Sequence, residues 1–140
     1  MLQTFHSTIA YAVLALLLVS TINAFMGISA KRNFTKNDRS LALVALIFSH
    51  IQLLVGLVLW FTSPIGKAAL GQMSNSALRL TAMEHPLINI IALVLITIGW
   101  SKHKKVESSN GKFKKIAYLY AIGLVLILSR IPWSLWFPAS

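Results

Sequence analysis

Four apolar stretches, each close to the length of a membrane-spanning helix, constrain this chain of 140 residues more than any other feature. They lie at about residues 9–29, 41–62, 87–101 and 116–133. A helix rises about 1.5 Å per residue, so crossing a hydrocarbon core of about 30 Å takes roughly 17–25 residues. Only 11% of the residues are charged, whereas a soluble domain carries about a quarter. The sequence therefore predicts an all-α membrane protein.

The third apolar stretch is too short to span by itself, because 15 residues reach only about 22 Å. Membrane helices tolerate proline better than soluble ones do, so we expect a continuous or kinked helix that passes through Pro86. This choice places Glu84 and His85 inside the bilayer. The prediction is a single transmembrane domain over residues 1–140, a four-helix bundle. Its helices are expected at about residues 4–30, 40–62, 76–101 and 114–133.

The basic residues that give this chain a formal net charge of +10 are clustered, and their positions predict its membrane topology. Four basic residues between positions 31 and 39 and six between 102 and 115 make ten of the thirteen. Short loops rich in lysine and arginine stay on the cytoplasmic side, so both termini are predicted on the outer side. The clustering argues against a nucleic-acid partner and for contact with lipid head groups. The chain has no cysteine, which excludes thiolate metal sites, iron–sulfur clusters and disulfides.

Ionisable side chains at membrane depth are costly, so each one needs a partner or a function. Counting residues upward from the cytoplasmic helix ends places Glu84, His85 and Arg130 in one layer of the outer half. His50 is expected somewhat below this layer and His6 above it. One interpretation is structural: an ion pair between Glu84 and Arg130, with each histidine bonded to a backbone carbonyl.

The alternative interpretation is a b-type haem, whose iron takes two histidines from different helices as axial ligands. The predicted ligands are His85 and His50, with His6 as the alternative, and Arg130 and Arg79 lie near the propionates. Zinc is a weaker candidate, since a catalytic zinc needs three protein ligands close together. The remaining histidine, His103, is expected to be solvated in a basic loop. No catalytic residue is predicted.

Four segments resemble a family of small four-helix bacterial inner-membrane proteins described as cytochrome-b-like. These are the FSHIQLLVGL run from Phe48, the segment from Glu84 to Gly99, the run from Lys112 to Ala117, and Ser129 to Trp133. The resemblance implies functional histidines at His6, His50 and His85 and a multi-pass location in the bacterial inner membrane. The family pattern often has a further histidine where this chain has Trp100, so a second haem is not implied.

Three functions remain open at this point. The first is electron transfer through haem b within a membrane redox or respiratory assembly, beside other redox subunits or quinone. The second is a cofactor-free accessory or scaffold subunit of a larger membrane complex, which fits the small size of the chain. The third is a quinone-linked or haem-handling membrane enzyme, which needs a cavity beside His50, Gln52 and Arg130. Gln52 is predicted to share one helix face with Ser49 and Gly56, because the three residues stand at i, i+3 and i+7. The sequence favours a subunit over a stand-alone enzyme.

Overall fold

The structure, a computed structural model, describes residues 2–131 and consists of four long helices in that range. They are α1 (Leu2–Ser29), α2 (Lys36–Thr62), α3 (Ser76–His103) and α4 (Ser109–Ser129). A short 3-10 helix, Lys67–Gln72, lies between α2 and α3, and no residue of the described range is in a strand. The all-α prediction is confirmed, and α1, α2 and α3 are long and apolar enough to cross a membrane.

The four helices form a ring in which consecutive helices are neighbours and α4 returns to α1. Each helix runs antiparallel to the next: Asn23 near the end of α1, for example, bonds to Asp38 near the start of α2. The contact between α2 and α3 is the least extensive of the four. Across the centre, the buried Tyr120 hydroxyl of α4 donates to the Ala42 carbonyl of α2 at 2.9 Å.

The antiparallel ring gives the molecule two unlike ends. We call one the basic end; it comprises residues 29–39 and 100–115. We call the other the cavity end; it comprises residues 2–10, 52–66, 79–89 and 127–131.

Helix α2 begins at Lys36, four residues before the expected start, because Thr35 and Asp38 form a capping box. The Thr35 hydroxyl accepts from the Asp38 amide, and the Asp38 carboxylate accepts from the Thr35 amide. Helix α4 likewise begins before the expected residue 114, with Ser108 as its cap. The expected start of α2 was placed after the charged residues, yet a charged first turn is compatible with a capped helix. The predicted end at residue 133 lies outside the described residues.

Helix α3 passes through Pro86 without breaking, with a π-helical turn at Leu80–Glu84 just before it. Proline has no amide proton, so the carbonyl of Ala82, four residues earlier, loses its helical donor. The indole Nε1 of Trp60 on α2 donates to this carbonyl at 2.6 Å. A side chain from the neighbouring helix thus replaces the missing bond and ties α2 to α3 at the cavity end.

Candidate functional site

A cavity of about 190 Å³ opens between α1, α2 and α3 at the cavity end. Its polar lining includes His6 on α1, Gln52 on α2, and His85 with Asn89 on α3, together with the smaller or peripheral side chains of Gln3, Ser7, Ser49, Ser63 and Thr81. Most of the wall is apolar and includes Val13, Leu14, Leu53, Leu57, Leu93 and Ile96. The predicted shared face of Ser49, Gln52 and Gly56 is confirmed, since all three residues line this cavity.

His6 is held against α2 by close packing and by its backbone. Its ring lies over Gly56, where an added Cβ would be 3.2 Å from the His6 Cε1 atom. The Gln52 side chain donates from Nε2 to the His6 carbonyl at 2.8 Å. His6 was expected above the layer of His85, but these contacts bring it down to the level of Gly56, in the same cavity as His85.

Two polar atoms of residues that line this cavity are buried without a partner. They are His6 Nδ1 and Gln52 Oε1; the third such atom among the described side chains, Thr21 Oγ1, belongs to no cavity residue. A buried polar atom without a hydrogen bond costs about 1–3 kcal/mol. Amide oxygen accepts only, and a neutral imidazole has one accepting nitrogen. The Gln52 oxygen is therefore suited to a ligand that carries a hydroxyl donor, as is His6 Nδ1 in the tautomer that leaves this nitrogen unprotonated.

His85 has a defined tautomer. Its Nδ1 lies 2.9 Å from the Arg130 carbonyl, and a carbonyl accepts only, so this nitrogen carries the proton. The Asn89 amide is 3.1 Å from the same nitrogen, but it donates to the His85 carbonyl at 2.5 Å. The His85 Nε2 is consequently the nitrogen with a free lone pair. Metal-ligating histidines are commonly oriented by this kind of carbonyl contact.

The three charged residues of the cavity end form one cluster. Glu84 accepts from Arg79 Nε at 2.9 Å and lies 3.6 Å from Arg130 Nε. The expected approach of Glu84 to Arg130 is thus found, with Arg79 as a second partner. All three side chains are partly exposed, and neither arginine lines the cavity. Two arginines share one carboxylate, which leaves one positive charge beside the cavity.

His50 lies outside the cavity. Its ring is exposed on α2, and its Nδ1 is 2.9 Å from the Leu46 carbonyl one turn earlier. The structure therefore brings His6 together with His85 and does not bring His50 together with His85. Two small residues leave no extra room for a macrocycle here, since Gly56 is packed under His6 and Ala92 is fully buried and does not line the cavity.

His103 is buried, and the expectation that it is solvated is wrong. Its ring lies 5.4 Å from Phe34 and 4.5 Å from Trp100, between centroids, and its Nδ1 bonds to the Trp100 carbonyl. The connection after α1 folds over the end of α3 and covers this ring. His103 therefore belongs to the packing of the basic end.

The site matches a haem in donor chemistry but not in size. Two imidazoles from different helices line one cavity, as axial ligation requires. Pockets that hold drug-sized ligands have volumes of roughly 300–1,000 Å³, and the cavity here has about 190 Å³. A complete tetrapyrrole does not fit between these helices as they stand. Among residues 2–131, no three histidine or carboxylate side chains are grouped to hold a metal ion.

Sequence reasoning singled out His6, Gln52 and His85 of the cavity wall but not the contacts that bring them together. Asn89 follows His85 by four residues, a spacing that puts two side chains on one helix face. The hydrogen bond from Trp60 to Ala82 could be predicted only from the missing amide proton of Pro86, which leaves one helix carbonyl without a donor.

Comparison of this chain with protein-family models, curated proteins and solved structures finds no match. The resemblance to cytochrome-b-like proteins stays a prediction, and function has to be argued from the site.

Proposed function

We propose that the protein is a multi-pass integral membrane protein that binds the head group of a quinol in the cavity of His6, Gln52 and His85. Its four helices would span the bacterial cytoplasmic membrane, with the basic end inside and both termini outside. The three membrane-length apolar helices and the segregation of basic residues to one end support this topology.

The observation that carries the quinol assignment is the pair of unpartnered atoms, His6 Nδ1 and Gln52 Oε1, on two residues that line a mainly apolar cavity. A dihydroxy aromatic ring supplies two hydroxyl donors and an apolar ring. An engineered apolar cavity of about 150 Å³ takes up benzene, so the cavity here, at about 190 Å³, is of the size for one ring. A quinol also reaches such a site directly from the bilayer.

The residues of the cavity supply the proton chemistry that quinol oxidation needs. A quinol loses two electrons and two protons to become a quinone. The Gln52 oxygen would orient one hydroxyl, and the neutral imidazoles of His6 and His85 would take up protons. The two electrons must pass to a redox centre of a partner subunit. The protein would then act as a quinone-linked subunit of a membrane redox assembly.

A binding experiment with matched variants tests the proposal. The purified protein in mild detergent is titrated with a short-chain ubiquinol, and quenching of tryptophan fluorescence is followed, because Trp60 lines the cavity. We expect saturable binding that weakens about tenfold in Gln52→Leu, the loss of one hydrogen bond worth about 1.4 kcal/mol. His6→Phe should weaken it at least as much.

The control is His50→Phe, the same substitution outside the cavity, which should leave the affinity unchanged. Absence of saturable binding by the folded protein would refute the proposal. An equal loss of affinity in His50→Phe would refute the assignment to this cavity.

A second candidate function, electron transfer by haem b, is favoured by one observation, the free Nε2 of His85 beside His6. It requires the helices to move apart, because the cavity of about 190 Å³ is smaller than a tetrapyrrole. These two histidines would hold the iron, with Arg130 and Arg79 near the propionates. A bound haem supplies one-electron transfer. The residue pair differs from the His85 and His50 pair expected first, because His50 faces away from the cavity.

A reduced-minus-oxidised absorbance spectrum of protein expressed with ample haem separates the two candidates. Haem binding predicts a sharp alpha band that disappears in His6→Phe and in His85→Phe but persists in His50→Phe. A quinol site predicts no such band. A folded protein that shows neither the band nor quinol binding would leave only the accessory-subunit function.

A further inference from the structure

A second cleft lies at the basic end, between the end of α1 and the start of α4. We call it the basic cleft, and its lining residues are Ile28, Lys31, Arg32, Asn33, Ser109, Asn110 and Lys114. Three of the seven are cations and none is acidic. The cleft lies at the opposite end of the molecule from the cavity, and the function proposed above makes no use of it.

Only one of the three cations is neutralised. The Arg32 guanidinium lies 3.3 Å from the Asp38 carboxylate and donates to the Asn23 carbonyl and side-chain oxygens at 3.2 and 3.0 Å. Neither Lys31 nor Lys114 forms an ion pair within residues 2–131. The cleft therefore presents two uncompensated positive charges to whatever occupies it.

The first turn of α4 adds backbone donors to the same cleft. The Ser108 hydroxyl accepts from the Gly111 amide, and the Ser108 carbonyl accepts from the Lys112 amide. The amides of Ser109 and Asn110 have no acceptor among the described residues. Free amides at a helix N-terminus favour an anion, and the effect adds to that of the lysines.

The surface next to the cleft is apolar and faces outward. Phe25 on α1 and Tyr118 on α4 stack edge to face at 5.8 Å, and both rings are about half exposed. Ile22 and Ile122, one turn further along the same helices, are exposed as well. A positive cleft followed along the helices by an exposed apolar strip matches a molecule with an anionic head and an apolar tail.

We propose that the basic cleft binds the phosphate of an anionic phospholipid through Lys31 and Lys114, with the acyl chain along Phe25 and Tyr118. The same cations would accept free phosphate, but only a lipid uses the apolar strip. The site would hold one lipid at a defined place, in contrast to the diffuse attraction of a basic loop to an anionic membrane.

Thermal unfolding in a neutral mild detergent tests this, with the transition temperature measured against added phosphatidylglycerol, phosphatidylcholine or inorganic phosphate. We expect a saturable rise with phosphatidylglycerol alone. In the double variant Lys31→Gln with Lys114→Gln, the half-saturating concentration should rise at least tenfold. The matched control, Lys102→Gln with Lys105→Gln, removes the same charge from the same end outside the cleft and should behave like the parent.

A third variant separates binding from folding. Lys31 has a φ of 53°, a left-handed conformation that glycine adopts without strain. Lys31→Gly should thus unfold at the same or a higher temperature without lipid and still respond less to phosphatidylglycerol. An equal loss of the response to phosphatidylglycerol in the matched control would mean that net charge alone causes the response. An equal response to inorganic phosphate would overturn the lipid assignment.

Discussion

The two ends of the molecule differ in whether their buried polar groups have hydrogen-bond partners. At the basic end, Asp38 accepts bonds from Asn23, Arg32 and both the amide and hydroxyl of Thr35. At the cavity end, His6 Nδ1 and Gln52 Oε1 have no partner. A fully bonded polar network stabilises one structure, whereas unpartnered groups in a cavity are available to a ligand.

Aromatic packing shows the same contrast. Phe34, Trp100, His103 and Phe113 form a contiguous cluster at the basic end. The guanidinium of Arg39 lies 5.1 Å from the centre of the Trp100 ring, and that of Arg32 lies 5.2 Å from Phe113. Packed aromatic rings fill the space between the helices at the basic end, whereas a cavity occupies this space at the cavity end. We infer that the basic end supplies most of the stability and the cavity end most of the function, a division often seen in proteins whose sites are strained or open.

The largest expected difference between the ends concerns their carboxylates. Asp38→Ala removes a helix cap and a buried acceptor of four bonds, so we expect a loss of about 3 kcal/mol in the free energy of unfolding. Glu84→Ala removes only partly exposed ion pairs, which are worth about 0–1 kcal/mol. Unfolding in mixed detergent with increasing dodecyl sulfate measures both. Equal losses would contradict the proposed division between the ends.

Glycine substitutions compare the packing of the two ends directly. A Cβ at Gly27 would lie 2.5 Å from the fully buried Phe113 ring, and overpacking of this kind costs about 1–3 kcal/mol. A Cβ at Gly56 would lie 3.2 Å from His6, whose ring borders a cavity and has room to shift. We expect Gly27→Ala to lower the unfolding temperature clearly and Gly56→Ala to change it little while weakening quinol binding. The reverse order would show that the cavity end is the more rigid.

The bond between Trp60 and Ala82 is the strongest single contact expected at the cavity end. Trp60→Phe leaves the buried Ala82 carbonyl without a donor, at a cost of about 1–2 kcal/mol. In a Pro86→Ala background the helix regains its own amide donor, so most of this cost should vanish. A double-mutant cycle on the free energy of unfolding measures the coupling. Additive effects of the two substitutions would mean that the indole does not replace the amide.

The smallest expected effect on stability belongs to Gln52. Gln52→Leu loses the bond to the His6 carbonyl but also removes a buried oxygen without a partner, so the net change should stay within about 0.5 kcal/mol. Asn23→Leu, the comparable change at the basic end, breaks bonds to Asp38 and Arg32 and should cost about 1–2 kcal/mol. Thermal unfolding of the two variants in one detergent makes the comparison. A large loss in Gln52→Leu would show that this amide is structural.

The candidate site illustrates how far pattern reasoning reaches. Shared faces follow from helical periodicity, which is why Ser49, Gln52 and Gly56 were correctly grouped. His50 is one residue, or about 100° of rotation, from Ser49, and that angle turns it out of the cavity. The depth of each side chain was predicted by counting residues from the expected helix ends, so an error in those ends became an error in depth. Helices α2 and α4 begin before the expected residues because Thr35 and Ser108 cap them there.

The sequence alone determined that this chain is all-helical, with helices long and apolar enough to cross a membrane and ten of its thirteen basic residues at one end, because these properties depend on local hydropathy and charge. Tertiary structure alone decided that His6 rather than His50 shares a cavity with His85. It also decided that Trp60 completes the helix at Pro86 and that His103 is buried. Such contacts depend on how each helix is rotated and shifted against its neighbours, and side chains from distant positions set that rotation together.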